Sequence, residues 1–288
     1  MKIAFLASGL LGERVLKSFI GKFKISFILT DEKSENIIEL CNDYNIPLYV
    51  GNPRKSKIDV FLGEQSTDVI ISVSYLYIVD EKVLKTAEKF CFNIHGSLLP
   101  KYRGRTPHVW AIINNEKETG VTAHIMDLGC DTGDIIKQIK IKIQKHDTGY
   151  SILKKFEAIY IPLIKEVLDD FEKGSLKTTK QNETKATFFG KRTPEDGLID
   201  WNWSVERIIN WVRAQSNPYP GAFTYYQNRK LIIDQVSKSE IGFHYKIENG
   251  TIISSKPLRV KCCNGVICIN RIRELNCEFE VNNKFENG

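Results

Sequence analysis

Two polar side chains set two positions apart at the end of an apolar run, Asn93 and His95, are the residues of this chain best suited to chemistry. They lie in Phe92-Asn93-Ile94-His95-Gly96-Ser97-Leu98-Leu99-Pro100. In an extended strand residues i and i+2 share a face, so Asn93 and His95 project together while Ile94 points to the other side. Core packing explains such a pair poorly at the carboxyl end of a strand. Gly96 then lets the chain turn away and leaves the pair at the lip of a pocket. The Asn amide is a neutral donor suited to an oxyanion, and an imidazole can carry a proton near neutral pH. A second cluster, Asp127-Leu128-Gly129-Cys130-Asp131-Thr132-Gly133-Asp134, reads as a turn after another strand. An acidic residue there could orient His95 and hold its charge. By spacing alone the same residues also read as a structural histidine and an ordinary Asp/Gly turn. His95, His108 and His124 form no HxH or HExxH pattern, so no metal is expected.

The elements that must position these residues alternate strand and helix. Ile3–Ala7, Ile25–Leu29, Leu48–Val50, Val69–Val73 and Phe90–Ile94 read as strands, with helices from Gly12 to about Phe19 and over Ile37–Tyr44. The continuous run Val69–Val73 predicts a strand buried on both faces, as in a parallel sheet. That order predicts an α/β fold, a mostly parallel sheet with ligands at the carboxyl ends of its strands. Val121–Met126 and the alternating run Ile135–Ile143 extend the sheet, and Ser151–Phe171 is helical, with Gly174 as its stop signal. After about Gly190, short runs at Asn228–Asp234, Thr251–Ser254, Leu258–Lys261 and Val266–Arg271 predict a small antiparallel β domain. The polar tail Asn282–Gly288 is expected to fray. Ser8-Gly9-Leu10-Leu11-Gly12 has the position of a dinucleotide loop but not its GxGxxG, so NAD is not expected; a tight turn and a phosphate-contacting loop both remain open.

The chain has 288 residues, 42% of them hydrophobic and 26% charged, which suits a folded protein with a sizeable core and excludes a disordered one. No apolar run approaches the roughly 20 residues of a membrane span. The short apolar start at Met1 lacks an export cleavage site and reads as a first strand, which predicts a cytoplasmic protein. A net charge of +6 with scattered lysines lacks the dense basic stripe of a nucleic-acid binder. The seven cysteines contain no CxxC pair, so free thiols are expected and neither a disulfide framework nor a zinc site.

The Asn93-x-His95-Gly-Ser-Leu-Leu-Pro run followed by Asp131-Thr-Gly-Asp resembles the 10-formyltetrahydrofolate-dependent formyltransferases. Three further stretches, Lys101–Pro107, Ala186–Asp196 and Asn217–Phe223, are similar to the sugar-nucleotide N-formyltransferase branch, which acts on UDP-4-amino-4-deoxyarabinose or on dTDP-4-amino-4,6-dideoxyhexoses. The likeness covers about residues 1–235 and is looser beyond. It implies a Rossmann-like catalytic and folate-binding domain, 1–190, and a small β-rich, OB-like domain, 191–288. It makes Asn93, His95 and Asp131 a catalytic trio: Asn93 donating to the oxyanion, His95 moving the amine proton, Asp131 orienting His95 and favouring its charged form. Tyr75, Leu76, Tyr77, Ile78, Leu128 and Gly129 would line the folate slot. Ser8, Gly9, Arg103, Arg105 and Arg192 would meet the sugar nucleotide, and Tyr219 would stack on its base or anchor the fold.

The first loop, Ser8–Gly12, differs from that of the arabinose enzyme, which leaves the exact sugar open, and no dehydrogenase domain of the bifunctional arabinose protein is expected to follow. The preferred acceptor is dTDP-4-amino-4,6-dideoxyglucose, for surface polysaccharide such as O-antigen, with a homodimer expected and no nucleic-acid or membrane partner. Methionyl-tRNA formyltransferase, the UDP-arabinose activity and a non-catalytic folate or nucleotide module are the alternatives. Glycinamide ribonucleotide formyltransferases are set aside because they lack a second domain.

Overall fold

The computed structural model describes residues 1–55, 57–63, 65–274 and 277–286. In chain order the elements of the first half are β1 (Lys2–Ala7), α1 (Gly9–Phe19), β2 (Lys24–Thr30), α2 (Glu35–Asp43), β3 (Leu48–Val50), α3 (Ile58–Leu62), β4 (Thr67–Val73), α4 (Glu81–Leu84), β5 (Ala87–His95), β6 (Arg103–Gly104), α5 (Pro107–Ile113), β7 (Glu118–Ile125) and β8 (Ile135–Lys142). The long helix α6 (Gly149–Glu172) follows, then β9 (Phe188–Phe189), α7 (Val205–Ala214), β10 (Ala222–Tyr226), β11 (Arg229–Ser239), β12 (Ile252–Ser255), β13 (Leu258–Cys262) and β14 (Gly265–Ile272).

Seven strands form one sheet in the order β3-β2-β1-β4-β5-β7-β8. The first five are parallel, and β5–β7 is antiparallel. Ile3 to Ala7 and Val69 to Ile71 are fully enclosed, as continuous apolar runs must be when helices cover both faces. α1 presents Leu11, Val15, Leu16 and Phe19 to that core on one helical face. It starts at Gly9, earlier than the expected Gly12. Gly12 is needed inside the helix: a Cβ there would lie 3.1 Å from Cβ of Ala7. α6 runs beyond its predicted ends and stops before Gly174, whose φ of +66° suits glycine.

The chain forms two compact units, Met1–Gly104 with Gly120–Ile141 and Lys155–Phe188, and Arg105–Thr119 with Lys142–Lys154 and Phe189–Gly288. These packing units interleave in sequence, whereas the expected division is a contiguous one at 190/191. Two early segments belong to the later unit because α5 packs on α7 and because arginines of α7 reach them. Arg207 Nη1 donates to the Ile113 carbonyl at 2.8 Å, and Arg213 Nη1 to that of Asp147 at 2.6 Å.

The second unit carries a five-stranded antiparallel sheet, β10-β11-β14-β13-β12. β10 was not among the expected strands. The tail also departs from expectation, since residues 282–286 are tied down. Phe285 is fully buried against Trp201 and Tyr226, and Glu286 bridges Tyr225 while Lys284 bridges Thr251. One apolar side chain in an otherwise polar tail is enough to anchor it; Asn287 and Gly288 lie outside the described residues.

Candidate active site

β5 delivers Asn93 and His95 to one face, and its antiparallel partner β7 sets His124 opposite Asn93 and Thr122 opposite His95. The turn after β7 brings in Asp131, which holds a left-handed backbone, φ +57°, that a non-glycine residue adopts at a cost of about 1–3 kcal/mol. The turn is braced by Asp127 Oδ1, which accepts from Gly129 N at 3.0 Å and Thr132 Oγ1 at 2.6 Å. Gly133 fits because a Cβ there would sit 2.0 Å from the Ile125 carbonyl oxygen.

All three expected catalytic residues converge in the first unit. Asp131 Oδ1 lies 3.3 Å from Asn93 Nδ2 and 3.5 Å from His95 Nδ1. Its Oδ2 accepts from the Gly104 amide at 2.9 Å, and Cys130 Sγ lies 3.6 Å away. His95 Nε2 donates to the Tyr102 carbonyl at 2.8 Å, since a carbonyl can only accept. The neutral ring therefore carries its lone pair on Nδ1, the nitrogen beside Asp131. His124 Nδ1 likewise donates to the Ile125 carbonyl at 2.8 Å, which leaves Nε2 to accept from Asn93 Nδ2 at 3.1 Å. Both hydrogens of the Asn93 amide nitrogen are thus engaged, one by His124 and one by Asp131.

Burial pushes the His95 imidazole below its ordinary pKa, against the upward pull of the Asp131 carboxylate and the Tyr102 carbonyl. Asp131 does pull this pKa up as expected, but losing water outweighs the neighbouring charge and the net shift is downward. Burial also opposes the charge on Asp131, but His95, His124 and the Gly104 N–H outweigh it and hold the carboxyl well below the carboxylate range. At neutral pH the geometry pairs a neutral imidazole with an ionised carboxylate. Behind them Gly96 admits α6, since a Cβ there would come within 2.8 Å of Phe156.

Two family models match the chain: the formyl transferase model over residues 26–168, and the formyl transferase C-terminal domain model over 191–284. The chain belongs to the formyl transferase family. The bifunctional polymyxin resistance protein ArnA of Wigglesworthia glossinidia brevipalpis is 36% identical over 274 residues, which cover 92% of this chain and 41% of that protein. The chain thus spans well under half the length of this relative. Among solved structures, the N-formyltransferase of Helicobacter canadensis in complex with folinic acid and dTDP-3-aminofucose superposes with a TM-score of 0.69 at 19% identity, over 93% of this chain and 97% of that one. A 4-N formyltransferase from Francisella tularensis gives 0.67 at 23% identity, over 80% and 94%. These two likenesses show the fold.

In this formyltransferase the expected folate residues follow strand ends of the first unit. Leu76, Ile78 and Leu128 are exposed apolar side chains. Tyr77 donates its hydroxyl to Glu32 Oε2 at 2.8 Å, and the buried Tyr75 hydroxyl has no hydrogen-bond partner among the described residues. Gly129 is close-packed, since a Cβ there would lie 2.0 Å from Thr132 Oγ1. Ser8 is buried, while the Gly9 amide donates to Ser34 Oγ at 2.9 Å, itself held by Asp31.

The expected sugar-nucleotide cations fare differently. Arg103 is fully enclosed: its guanidinium donates to Gln181 Oε1 and to both carboxylate oxygens of Glu183, so the expected phosphate ligand is a buried strut. Arg105, half-buried, lies in the second unit. Arg192 of that unit, the third cation expected to meet the sugar nucleotide, is covered by the indoles of Trp110 and Trp211 at 5.0 and 4.4 Å and donates to the Asp196 carbonyl and Gln215. The Tyr219 hydroxyl meets Nε2 of buried His108 at 2.9 Å, which favours the anchor over the base-stacking role.

His124, Gln181, the Tyr102 carbonyl and the Gly104 amide complete the site and were not anticipated. His124 left a signal, because Thr122 and His124 are polar residues on one face of a buried strand. Among the described residues no group of three or more His, Cys, Asp or Glu side chains is placed to hold a metal ion, and no helix is long and apolar enough to cross a membrane.

Proposed function

We propose that the chain transfers the formyl group of 10-formyltetrahydrofolate to the amine of a nucleotide-linked amino sugar, with dTDP-4-amino-4,6-dideoxyglucose as the favoured acceptor. The convergence of Asn93, neutral His95 and ionised Asp131 carries this reading. The neutral amine attacks the formyl carbon and the carbonyl oxygen gains charge. His95 Nδ1 takes the proton that the new C–N bond makes acidic, and Asp131 stabilises the resulting imidazolium. Once Nδ1–H engages Asp131 Oδ1, the Asn93 N–H held there is released to the formyl oxyanion. Breaking of the old C–N bond returns the proton to the folate nitrogen, leaving a formamide and tetrahydrofolate.

The sugar acceptor is supported by the 36% identity to ArnA and by the motifs at Lys101–Pro107, Ala186–Asp196 and Asn217–Phe223. The dTDP-3-aminofucose complex of the Helicobacter canadensis enzyme supports a dTDP carrier, and the 4-N formyltransferase of Francisella tularensis supports the 4-amine. In this reading the enzyme acts in the cytoplasm as a homodimer and supplies surface-polysaccharide synthesis such as O-antigen. Turnover with 10-formyltetrahydrofolate and paired UDP- and dTDP-4-amino sugars, read by product mass, tests it. Formylation of the dTDP sugar is expected. Product from the UDP sugar alone would change the nucleotide, and formylation of charged initiator tRNA with no sugar product would overturn the reading.

A further inference from the structure

Residues 179–188 follow α6 and fall between the stretches matched by the two family models. This segment returns to the first unit, and nearly every hydrogen bond it makes there lands on a group that holds a member of the trio. Thr179 exchanges both backbone hydrogen bonds with Ile135, each 2.8 Å, just after the Asp131 turn. Gln181 Nε2 donates to the carbonyls of Asp131 and Gly133 at 2.8 and 2.7 Å. Its Oε1 accepts from Arg103 Nε and Nη2 at 3.2 and 2.8 Å. Arg103 is fixed in turn by Glu183, at 2.8 and 2.6 Å, and by the Phe188 ring, 5.3 Å from its guanidinium. Thr187 accepts from the Tyr102 and Arg103 amides, both at 2.8 Å, and Tyr102 is the residue whose carbonyl orients His95.

The bonds close a ring. Gln181 grips the backbone of Asp131, the Asp131 carboxylate accepts from Gly104, Gly104 is bonded in sequence to Arg103, and Arg103 returns to Gln181. The ring matters because Asp131 holds a left-handed backbone, which persists only where the surroundings over-determine it. Both amide hydrogens of Gln181 are spent on carbonyls of that turn. A hydrocarbon of the same length would fill the space and hold neither.

We propose that Gln181, set by Arg103 and Glu183, is a positioning residue of the formyl-transfer site that keeps the Asp131 carboxylate in register with His95, Asn93 and the Gly104 amide. This rests on the reading of Asn93, His95 and Asp131 as the reacting site. Gln181 touches none of the reacting atoms and acts through the turn. The Asp131 carboxylate is faced by His95 from β5, His124 from β7, Tyr160 from α6 and Cys130 from its own turn, besides the Gly104 N–H. When the turn relaxes, that N–H moves away and the carboxyl becomes easier to protonate.

The test is Gln181→Met, which conserves length and removes both donors. Steady-state kinetics should show kcat down roughly 10- to 100-fold with KM for folate and sugar within about threefold. The acid limb of the kcat profile, set by protonation of neutral His95, should move down, because the Asp131 carboxylate that pulls the His95 pKa up loses its register with the ring. A spacer role alone would lower the melting temperature and leave kcat per folded enzyme and the acid limb in place, which overturns the proposal. If Gln181→Met does not fold, Glu183→Ala removes the exposed anchor of Arg103 and should move both readings the same way to a smaller extent. Carboxyl NMR titration of Asp131 needs no turnover: a raised midpoint in the variant supports the clamp even if no sugar is formylated, and an unmoved midpoint sinks it whatever the acceptor.

Discussion

Asn93 and His124 face each other across the β5–β7 ladder, with Asn93 Nδ2 3.1 Å from His124 Nε2, so the amide that would stabilise the developing oxyanion is aimed by a second imidazole. Because His124 Nδ1 is committed to the Ile125 carbonyl, the acceptor lone pair on Nε2 has a fixed direction. Replacing His124 by Leu should leave Asn93 unaimed and cut kcat roughly 10- to 100-fold, with little change in KM. Steady-state kinetics checks this, and unchanged kcat would show that Asn93 needs no such partner.

Truncating the trio should cost more. Asn93→Ala and His95→Ala are each expected to lower kcat by about 100- to 1000-fold, the usual loss of one transition-state donor or proton acceptor. Single-turnover rates with saturating folate measure the effect on chemistry alone. Near-normal turnover in either variant removes that residue from the mechanism.

Leu128 is an apolar side chain exposed in the turn that bears Asp131. If it packs on the pterin, Leu128→Asp should raise the KM for 10-formyltetrahydrofolate by roughly tenfold or more, the equivalent of losing a buried leucine contact. The melting temperature should hardly change, because the side chain packs on little in the fold. Folate titration of both proteins decides it.

His108 gives the second unit a pH-dependent stability. Burial pushes its imidazole down to about 4. The unfolded chain binds a proton near pH 6.5 and the folded chain does not, so stability rises with pH through this window. It is fully present above about pH 6.5 and is lost as pH falls toward 4, by up to about 3 kcal/mol. Urea denaturation between pH 4 and 7 should show this slope, and His108→Gln should flatten it.

Phe285 packs on Trp201, Tyr226 and Phe279 with ring centroids 5.4, 5.5 and 5.8 Å away. Phe285→Ala should destabilise the second unit by about 3–5 kcal/mol, as for other buried aromatic truncations. A urea midpoint equal to that of the parent protein would mean that the tail is ornamental.

The reading from sequence was strongest where the signal was local. Strand period alone put Asn93 and His95 on one face, and the continuous β-branched run of β4 announced a buried parallel strand. It failed where partners are distant in the chain. Arg103 reads from sequence as a cation for the sugar nucleotide, and it is buried because Gln181 and Glu183, 78 and 80 residues away, come back to meet it. Gln181 acts through backbone carbonyls, which leave no periodic trace. The start of α1 was misplaced because two glycines suggest a loop, whereas one of them lets the helix lie against β1. The tail was judged by its polarity, and the fate of one phenylalanine decided the matter.

The interleaving of the two units has a consequence on the ribosome. α5 leaves the exit tunnel long before α7, its packing partner, and the chain between Ile113 and Val205 must be synthesised first. At about 5–20 residues per second, those roughly 90 residues keep Val109, Ile112 and Ile113 without their final cover for about 5–18 seconds. During that interval those apolar side chains must wait for α7 or be held by a chaperone.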